Sequence, residues 1–375
     1  MPICYLMLGK KVLREINSTL SRPTKILINL KNYGHNIEIA KKLSNSEVIL
    51  VVKANAYGHG SKELSTFAYD NHNIRYFAVA TFEEALELHD ILNKNAKLIV
   101  LGYVDPTFVR SASEKNIILT VYNEEIAKLY SEHLYDTDTL KIALKIDTGM
   151  NRLGFEPELD IDNFLKKYIK FDIFTIMSHL SSADSDSEYT YYQMKSFNNI
   201  LKYAGNSYST SLFNSAGICN FKNQYTFTRP GIMTYGYIKS GRDVKLRKVM
   251  YLFTNIVHVH NIKKGERIGY NGAYIAPRDM RIGILPIGYG DGYRRNLSNN
   301  GFVYINNIRC NIIGNICMDM TMIDISALPE SYLNYDVEIL GDNIDANILA
   351  DLSGSIPYEI LTNFSSRIKR YYMSF

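Results

Sequence analysis

Cysteine is scarce in this chain. Its four cysteines, Cys4, Cys219, Cys310 and Cys317, fall in no CxxC pair and in no Cys/His ligand spacing. That argues against a disulfide framework and a thiolate zinc site, and points to a reducing compartment. Blocks of like charge are missing too. The net charge of +4 is spread thinly, so composition gives no case for nucleic acid or a membrane surface as partner. No apolar run approaches the roughly 20 residues of a membrane span. The opening "MPICYLMLGKKV" is short, and its lysines follow the apolar run, the reverse of a secretory leader. Internal repeats and low-complexity tracts are absent. With 46% hydrophobic and 21% charged residues, the expectation is a soluble, cytoplasmic globular protein. At 375 residues it has room for two domains, or for one large barrel with an addition.

What is present is a regular alternation. Short apolar runs read as strands: "VILVVK" from Val48, "YFAVAT" from Tyr76, "LIVLGY" from Leu98, "IILTVYN" from Ile117, "KIALKID" from Lys141, "DIFTIMSH" from Asp172, "STSLFNSAG" from Ser209 and "FTRPGI" from Phe227. Amphipathic segments such as "EEALELHDILN" and "EEIAKLYSEHL" separate them. Thr81 to Glu84 reads as a capping box, and Ser61 and Asn123 as N-caps. Near-continuous apolar strands alternating with helices mean a parallel sheet covered on both faces. Eight such units indicate an α/β fold of the (β/α)8 TIM-barrel type. After about residue 245 the pattern changes to successive strands, among them "KVMYLFTNIVHVHNI" and "GFVYINNIRCNIIG", which reads as a mainly β C-terminal domain. The expected organisation is an N-terminal extension over 1–22, a barrel domain over 23–244 and the β domain over 245–375. The first strand, "KILINL", fits either sheet.

The polar exceptions gather at strand ends. Lys53 ends the first barrel strand, Lys145 and Asp147 the fifth, His179 the sixth, Asn214 and Ser215 the seventh, and Arg229 lies in the eighth. Active sites of (β/α)8 barrels form at the C-terminal rim, and the loops after strands seven and eight commonly hold phosphate. An ammonium at the end of a buried strand is costly unless it is paired, solvated or used in chemistry. Together these residues point to one functional mouth.

The stretches "VVKANAYGHG", "KIDTGMNRLGF", "SHLSSAD", "FNSAG", "RPGI", "ILPIGYGDGY" and "ICMD" closely resemble, in order, the motifs of the alanine racemase family. The resemblance runs from about Thr24 to Tyr358. It implies a barrel domain that binds pyridoxal 5′-phosphate and a β domain behind it. Lys53 looks like the lysine that joins the cofactor aldehyde covalently and then serves as a base. A desolvated lysine has the depressed pKa that both tasks need. Tyr57, Asn214, Ser215, Gly231, Ile232 and Tyr358 match residues that hold the cofactor, largely through its phosphate. Arg229 resembles the arginine facing the pyridine nitrogen. Its guanidinium cannot accept a proton, so the ring stays a weaker electron sink with fewer side reactions.

Racemisation needs a proton removed on one face of the substrate carbon and delivered on the other. The resemblance makes Tyr270 the second acid/base group and His179 the link between Arg229 and that tyrosine. Arg152 and the backbone of Met318 match contacts to the substrate carboxylate. Lys145 matches a lysine that is often carbamylated; the alternative is a plain lysine paired with Asp147. Tyr270 and "ICMD" act on the neighbouring subunit in this family, which implies a homodimer with shared active sites. D-alanine supply for peptidoglycan follows from the same resemblance. Two places depart from the family pattern. Asn315 stands where arginine is common, on the substrate path, and Gly269 and Asn271 flank Tyr270 where "SYG" is usual. A racemase for serine or a larger amino acid, and a non-catalytic cofactor-binding protein, remain alternatives. No metal is expected.

Overall fold

The computed structural model describes residues 21–92, 95–204, 208–332 and 334–374. Of the expected N-terminal extension, residues 1–20, with Cys4, lie outside the described residues. The described residues divide into two compact units: Tyr33–Ala56 with Gly60–Arg247, and a second built from those up to Asn32, Tyr57–His59 and those from Lys248.

The first unit is the barrel. After β1 (Lys25–Asn29), the strands β2 (Glu47–Val51), β3 (Tyr76–Val79), β4 (Lys97–Val100), β5 (Ile118–Val121), β6 (Leu140–Lys145), β7 (Phe171–Met177), β8 (Thr210–Asn214) and β9 (Phe227–Arg229) close in chain order into a parallel ring. These are the eight runs read from the sequence. Their apolar continuity has the expected cause: β5 is buried at all four positions and β2 at four of five, as required of staves covered on both faces. Helices intervene between the staves, several of them opened by a side-chain cap. Asn123 caps Glu124–Glu132 by accepting the Ile126 N–H at 2.8 Å.

Two expected caps differ. Thr81 accepts the Glu84 N–H at 3.3 Å, but the Glu84 carboxylate does not return to Thr81. It takes the N–H groups of Ala80 at 2.8 Å and Ala54 at 2.6 Å, so the capping box is diverted to the ends of β3 and β2. Ser61 is the first helical residue of Ser61–His72 and not its cap; its N–H is taken by Asn55 Oδ1 at 2.9 Å.

The second unit is mainly β. Its strands are β10 (Met250–Thr254), β11 (His258–Ile262), β12 (Arg267–Ile268), β13 (Tyr274–Ile275), β14 (Met280–Leu285), β15 (Phe302–Ile305), β16 (Ile308–Asn311), β17 (Thr321–Asp324), β18 (Val337–Leu340) and β19 (Lys369–Met373). The largest sheet runs β16-β15-β18-β10-β1-β19, which answers the question left by "KILINL": β1 pairs antiparallel with β10 and parallel with β19. A three-stranded sheet, β11-β14-β17, and the two-residue ladder β12-β13 complete it. Every residue of β1 is buried, Lys25 included, and its Nζ meets Asp336 Oδ1 at 2.7 Å. Removing one partner of a buried ion pair is far more damaging than replacing both with apolar groups. Asp336→Ala is therefore expected to cost about 3–5 kcal/mol, seen as a lower urea midpoint, while Lys25→Met/Asp336→Leu should recover most of that loss.

Candidate active site

β2 ends at Val51, and the chain then makes a turn of the wrong hand. Ala54, Asn55, Ala56 and Tyr57 have φ of 51°, 53°, 51° and 52°, a single left-handed helical turn that begins at Lys53. Residues with a Cβ avoid this region at about 1–2 kcal/mol each, asparagine excepted. The turn is held by hydrogen bonds: Ala54 N–H to Glu84, Ala56 N–H to Val52 O at 2.8 Å and Gly60 N–H to Asn55 O at 2.9 Å. It leaves Lys53 half-buried in the barrel mouth. Desolvation pulls its ammonium below the usual lysine range; Arg152 adds to that effect and Glu84 opposes it.

Arg229, at the end of β9, is buried. Its guanidinium donates to Ser211 Oγ, to the Ser178 carbonyl, to Leu212 O at 3.3 Å and to His179 Nδ1 at 3.3 Å. Burial brings its pKa down to about 10, which still leaves it charged at neutral pH. A guanidinium only donates. His179 Nδ1 therefore accepts, and a neutral imidazole here carries its proton on Nε2. Desolvation, then Arg229, Lys145, Arg152 and Lys53, hold His179 well below the ordinary histidine range, so it is neutral.

Lys145 closes β6. Desolvation and the nearby Arg229 and Arg152 depress its pKa strongly against the pull of Asp147. Lys145 and Asp147 form no ion pair among the described residues; Lys145 Nζ donates to Ile146 O at 3.3 Å. The Asp147 carboxylate is turned onto its own loop, where Oδ1 accepts the N–H groups of Gly149, Met150 and Asn151 and Oδ2 that of Arg152. These bonds hold its pKa below the usual carboxylate value in spite of desolvation. Glu84 is likewise occupied by backbone donors.

Beyond β8, Asn214 serves the chain itself: Oδ1 accepts the Gly217 N–H and Nδ2 donates to Leu180 O, both at 3.0 Å. Ser215 is buried, and its Oγ takes the N–H groups of Gly231 at 2.9 Å and Met233 at 3.4 Å. Gly231 precedes the short turn Ile232–Tyr235. Two backbone donors thus meet the Ser215 hydroxyl beside a mouth holding Lys53, Lys145, Arg152 and Arg229, whose carboxylates are already engaged. This donor set fits a phosphate and a second anionic group.

In the other unit, Tyr57 and Tyr358 face each other with ring centroids 5.9 Å apart. Burial, with Tyr358, pushes the Tyr57 phenol up. Tyr270 opens the turn Tyr270–Gly272 and is 67% exposed. Met318 is exposed as well, and its carbonyl accepts the Gly290 N–H at 2.9 Å. Asn315 Nδ2 donates to the Tyr270 carbonyl at 3.1 Å. Glu84, Ser178 and Ser211 were missed in the sequence. Glu84 carried a signal, a cap residue just after a strand end, but the two serines, which orient Arg229, have ordinary surroundings.

The chain is similar to known proteins over nearly its whole length. The alanine racemase N-terminal domain matches residues 28–239 and the alanine racemase C-terminal domain matches 249–372. Alanine racemase 1 of Clostridium acetobutylicum is 35% identical over 371 residues, covering 94% of this chain and 96% of that one. The crystal structure of alanine racemase from Bartonella henselae with covalently bound pyridoxal phosphate superposes with a TM-score of 0.86 at 27% identity, over 94% of this chain and 99% of that chain. Histidine racemase from Leuconostoc mesenteroides subsp. sake also shares the fold, with a TM-score of 0.84 at 25% identity, over 94% of this chain and 99% of that chain. Both domains, in order and over nearly the full length, place this chain in the alanine racemase family.

Proposed function

We propose that this chain is a pyridoxal 5′-phosphate-dependent racemase that interconverts L-alanine and D-alanine in the cytoplasm, supplying D-alanine for peptidoglycan. The observation that carries the reading is the barrel mouth: a lysine of lowered pKa among basic groups whose carboxylate neighbours are engaged by backbone N–H donors. Lys53 would carry the cofactor. Ser215 and the backbone of Gly231 and Ile232 would take its phosphate, with Tyr57 and Tyr358 beside it. When bound, the cofactor withdraws electrons from the substrate Cα and acidifies its proton.

The chain's own groups then move that proton. The Lys53 amine acts on one face. Tyr270 of a second copy acts on the other, because Tyr270 and Met318 are presented on exposed surface. Phenols as a class are weak bases at neutral pH. The Nε2–H of His179, fixed as donor by Arg229 on the opposite nitrogen, supplies a hydrogen bond that favours the phenolate. Arg152 and the Met318 N–H take the substrate carboxylate. The depressed Lys145 amine is the form that adds carbon dioxide, and the resulting carbamate would answer Arg152 and Arg229 with negative charge. Asn214 stands further back, ordering the loop that presents Ser215. The histidine racemase of the same fold favours a second reading, a preference for another amino acid.

Four outcomes test these assignments. Purified protein with pyridoxal phosphate should convert L-alanine to D-alanine faster than L-serine or L-histidine; a preference for either of those would replace alanine as substrate. Turnover should rise with pH through a pKa below that of free lysine, because the neutral Lys53 amine is the active form and its pKa is lowered. Borohydride should fix the cofactor on the Lys53 peptide, and Lys53→Ala should lower turnover by about 10²–10⁴. Lys53→Ala and Tyr270→Phe should each be nearly inactive. Mixed and re-equilibrated, they should regain about a quarter of wild-type activity, since half the dimers would carry one intact site of two; no recovery would rule out shared sites.

A further inference from the structure

An exposed acid/base residue needs something to hold it, and the turn bearing Tyr270 has little of its own. It hangs on the two-residue ladder of β12 and β13, and the chain enters it through Gly269 at φ +74° and passes Asn271 at +61° and Gly272 at +58°. Its internal bonds are Gly272 N–H to Gly269 O at 3.1 Å and a long Ala273 N–H to Tyr270 O at 3.3 Å. So short a ladder does not fix a side chain unaided.

The missing restraint comes from the segment that leads to Met318. Asn315 Nδ2 donates to the Tyr270 carbonyl at 3.1 Å. Asn299 spans both segments: its Oδ1 accepts the Gly314 N–H at 2.6 Å and its Nδ2 donates to the Ala273 carbonyl at 3.3 Å. Ser298 Oγ accepts the next donor along, the Ile316 N–H, at 2.9 Å. The two backbones come this close because the crossing points are glycines. A Cβ on Gly269 would lie 2.9 Å from Met322 Cε and 3.4 Å from Asn315 N, and one on Gly314 would lie 3.1 Å from Ile268 O.

We propose that Asn299 and Asn315 are positioning residues that clamp the Tyr270 turn to the Gly314–Met318 segment. The phenol and the Met318 N–H are thereby presented to the neighbouring active site as one rigid piece. Asn315, which stands where arginine is common on the substrate path, serves here as a donor to the catalytic turn. This inference rests on the reading of Tyr270 as second base. Reacting groups displaced by about 1 Å lose on the order of a hundredfold in rate.

The test compares the holoenzyme with Asn299→Gly, which tolerates φ of +58° at that position and deletes both bridging bonds, and with Asn315→Ala. Asn299→Asp keeps the acceptor for Gly314 and loses the donor to Ala273. Steady-state kinetics in both directions would be measured with α-deuterated and ordinary alanine. The clamp predicts a kcat loss of about ten- to a hundredfold for Asn299→Gly and Asn315→Ala, with a smaller loss for Asn299→Asp. Cofactor absorbance should be unchanged. With Tyr270 taken as the base that removes the proton of L-alanine and Lys53 that of D-alanine, the isotope effect should grow for L-alanine and fall for D-alanine, where the slowed step comes after the C–H bond is broken. Wild-type kcat and isotope effects in both variants would overturn the clamp, as would a loss confined to cofactor content. Tyr270→Phe is run alongside. If it turns over normally, the second-base reading falls and the clamp with it; if it is crippled while the asparagine variants are normal, the clamp alone falls.

Discussion

The left-handed turn after β2 is the constraint on which the barrel mouth depends. Among the described residues, twelve non-glycine residues have positive φ, and nine of them are asparagines. Asparagine enters that region at little cost because its short polar side chain bonds locally. The other three, Ala54, Ala56 and Tyr57, are all in this one turn. Backbone strain is therefore not scattered over the molecule but concentrated immediately after Lys53. Strain of this kind persists only where the surroundings over-determine it. Here Glu84, Val52 and Gly60 do so through hydrogen bonds to Ala54, Ala56 and Asn55. A right-handed turn would carry Lys53 on into an ordinary helix start. The reversed one stops it at the rim, half-buried.

Electrostatics follow from the same economy of acceptors. Asp147 and Glu84 are the carboxylates in the field of Lys53 and Lys145, and both spend their oxygens on backbone N–H groups. Arg152 thus acts on both Lys53 and Lys145, and Arg229 on Lys145. Repulsion from arginine adds to desolvation and lowers the pKa of both lysines, while Arg229 keeps its charge. A site so arranged suits the anionic cofactor and the amine chemistry proposed for it. The same field holds His179 neutral, which fixes its tautomer and gives it a donor on Nε2. Arg229 thus governs a proton it never carries.

Much of this was legible in the sequence, for reasons that differ by element. The eight staves are apolar runs of strand length between amphipathic segments, and burial on both faces writes that pattern directly. The membership of β1 was open because "KILINL" is a buried strand in either sheet. Only pairing with β10 and β19 distinguishes them. The capping box at Thr81 misled because the glutamate that would complete it satisfies the ends of β3 and β2 instead. The left-handed turn was invisible: Ala54 and Ala56 are residues that elsewhere favour right-handed helix. Small side chains there are the least obstructed residues with a Cβ that such a turn can hold.

The asparagines show how structural and functional roles become separable. Asn73, at the end of Ser61–His72, takes a left-handed conformation as a helix stop. Asn55 and Asn299 share its backbone geometry, yet their side chains accept N–H groups from other segments, Ser61 in one case and Gly314 in the other. Each belongs to the support of a residue proposed to move a proton, Lys53 for Asn55 and Tyr270 for Asn299. A sequence reports only that asparagine favours turns at these places. The reach of the side chain beyond its own turn distinguishes a support from a stop, and that reach depends on which segment the fold brings alongside. An asparagine can thus satisfy a strained backbone and fix a neighbour at once, a combination that glycine, equally permissive in φ, cannot provide.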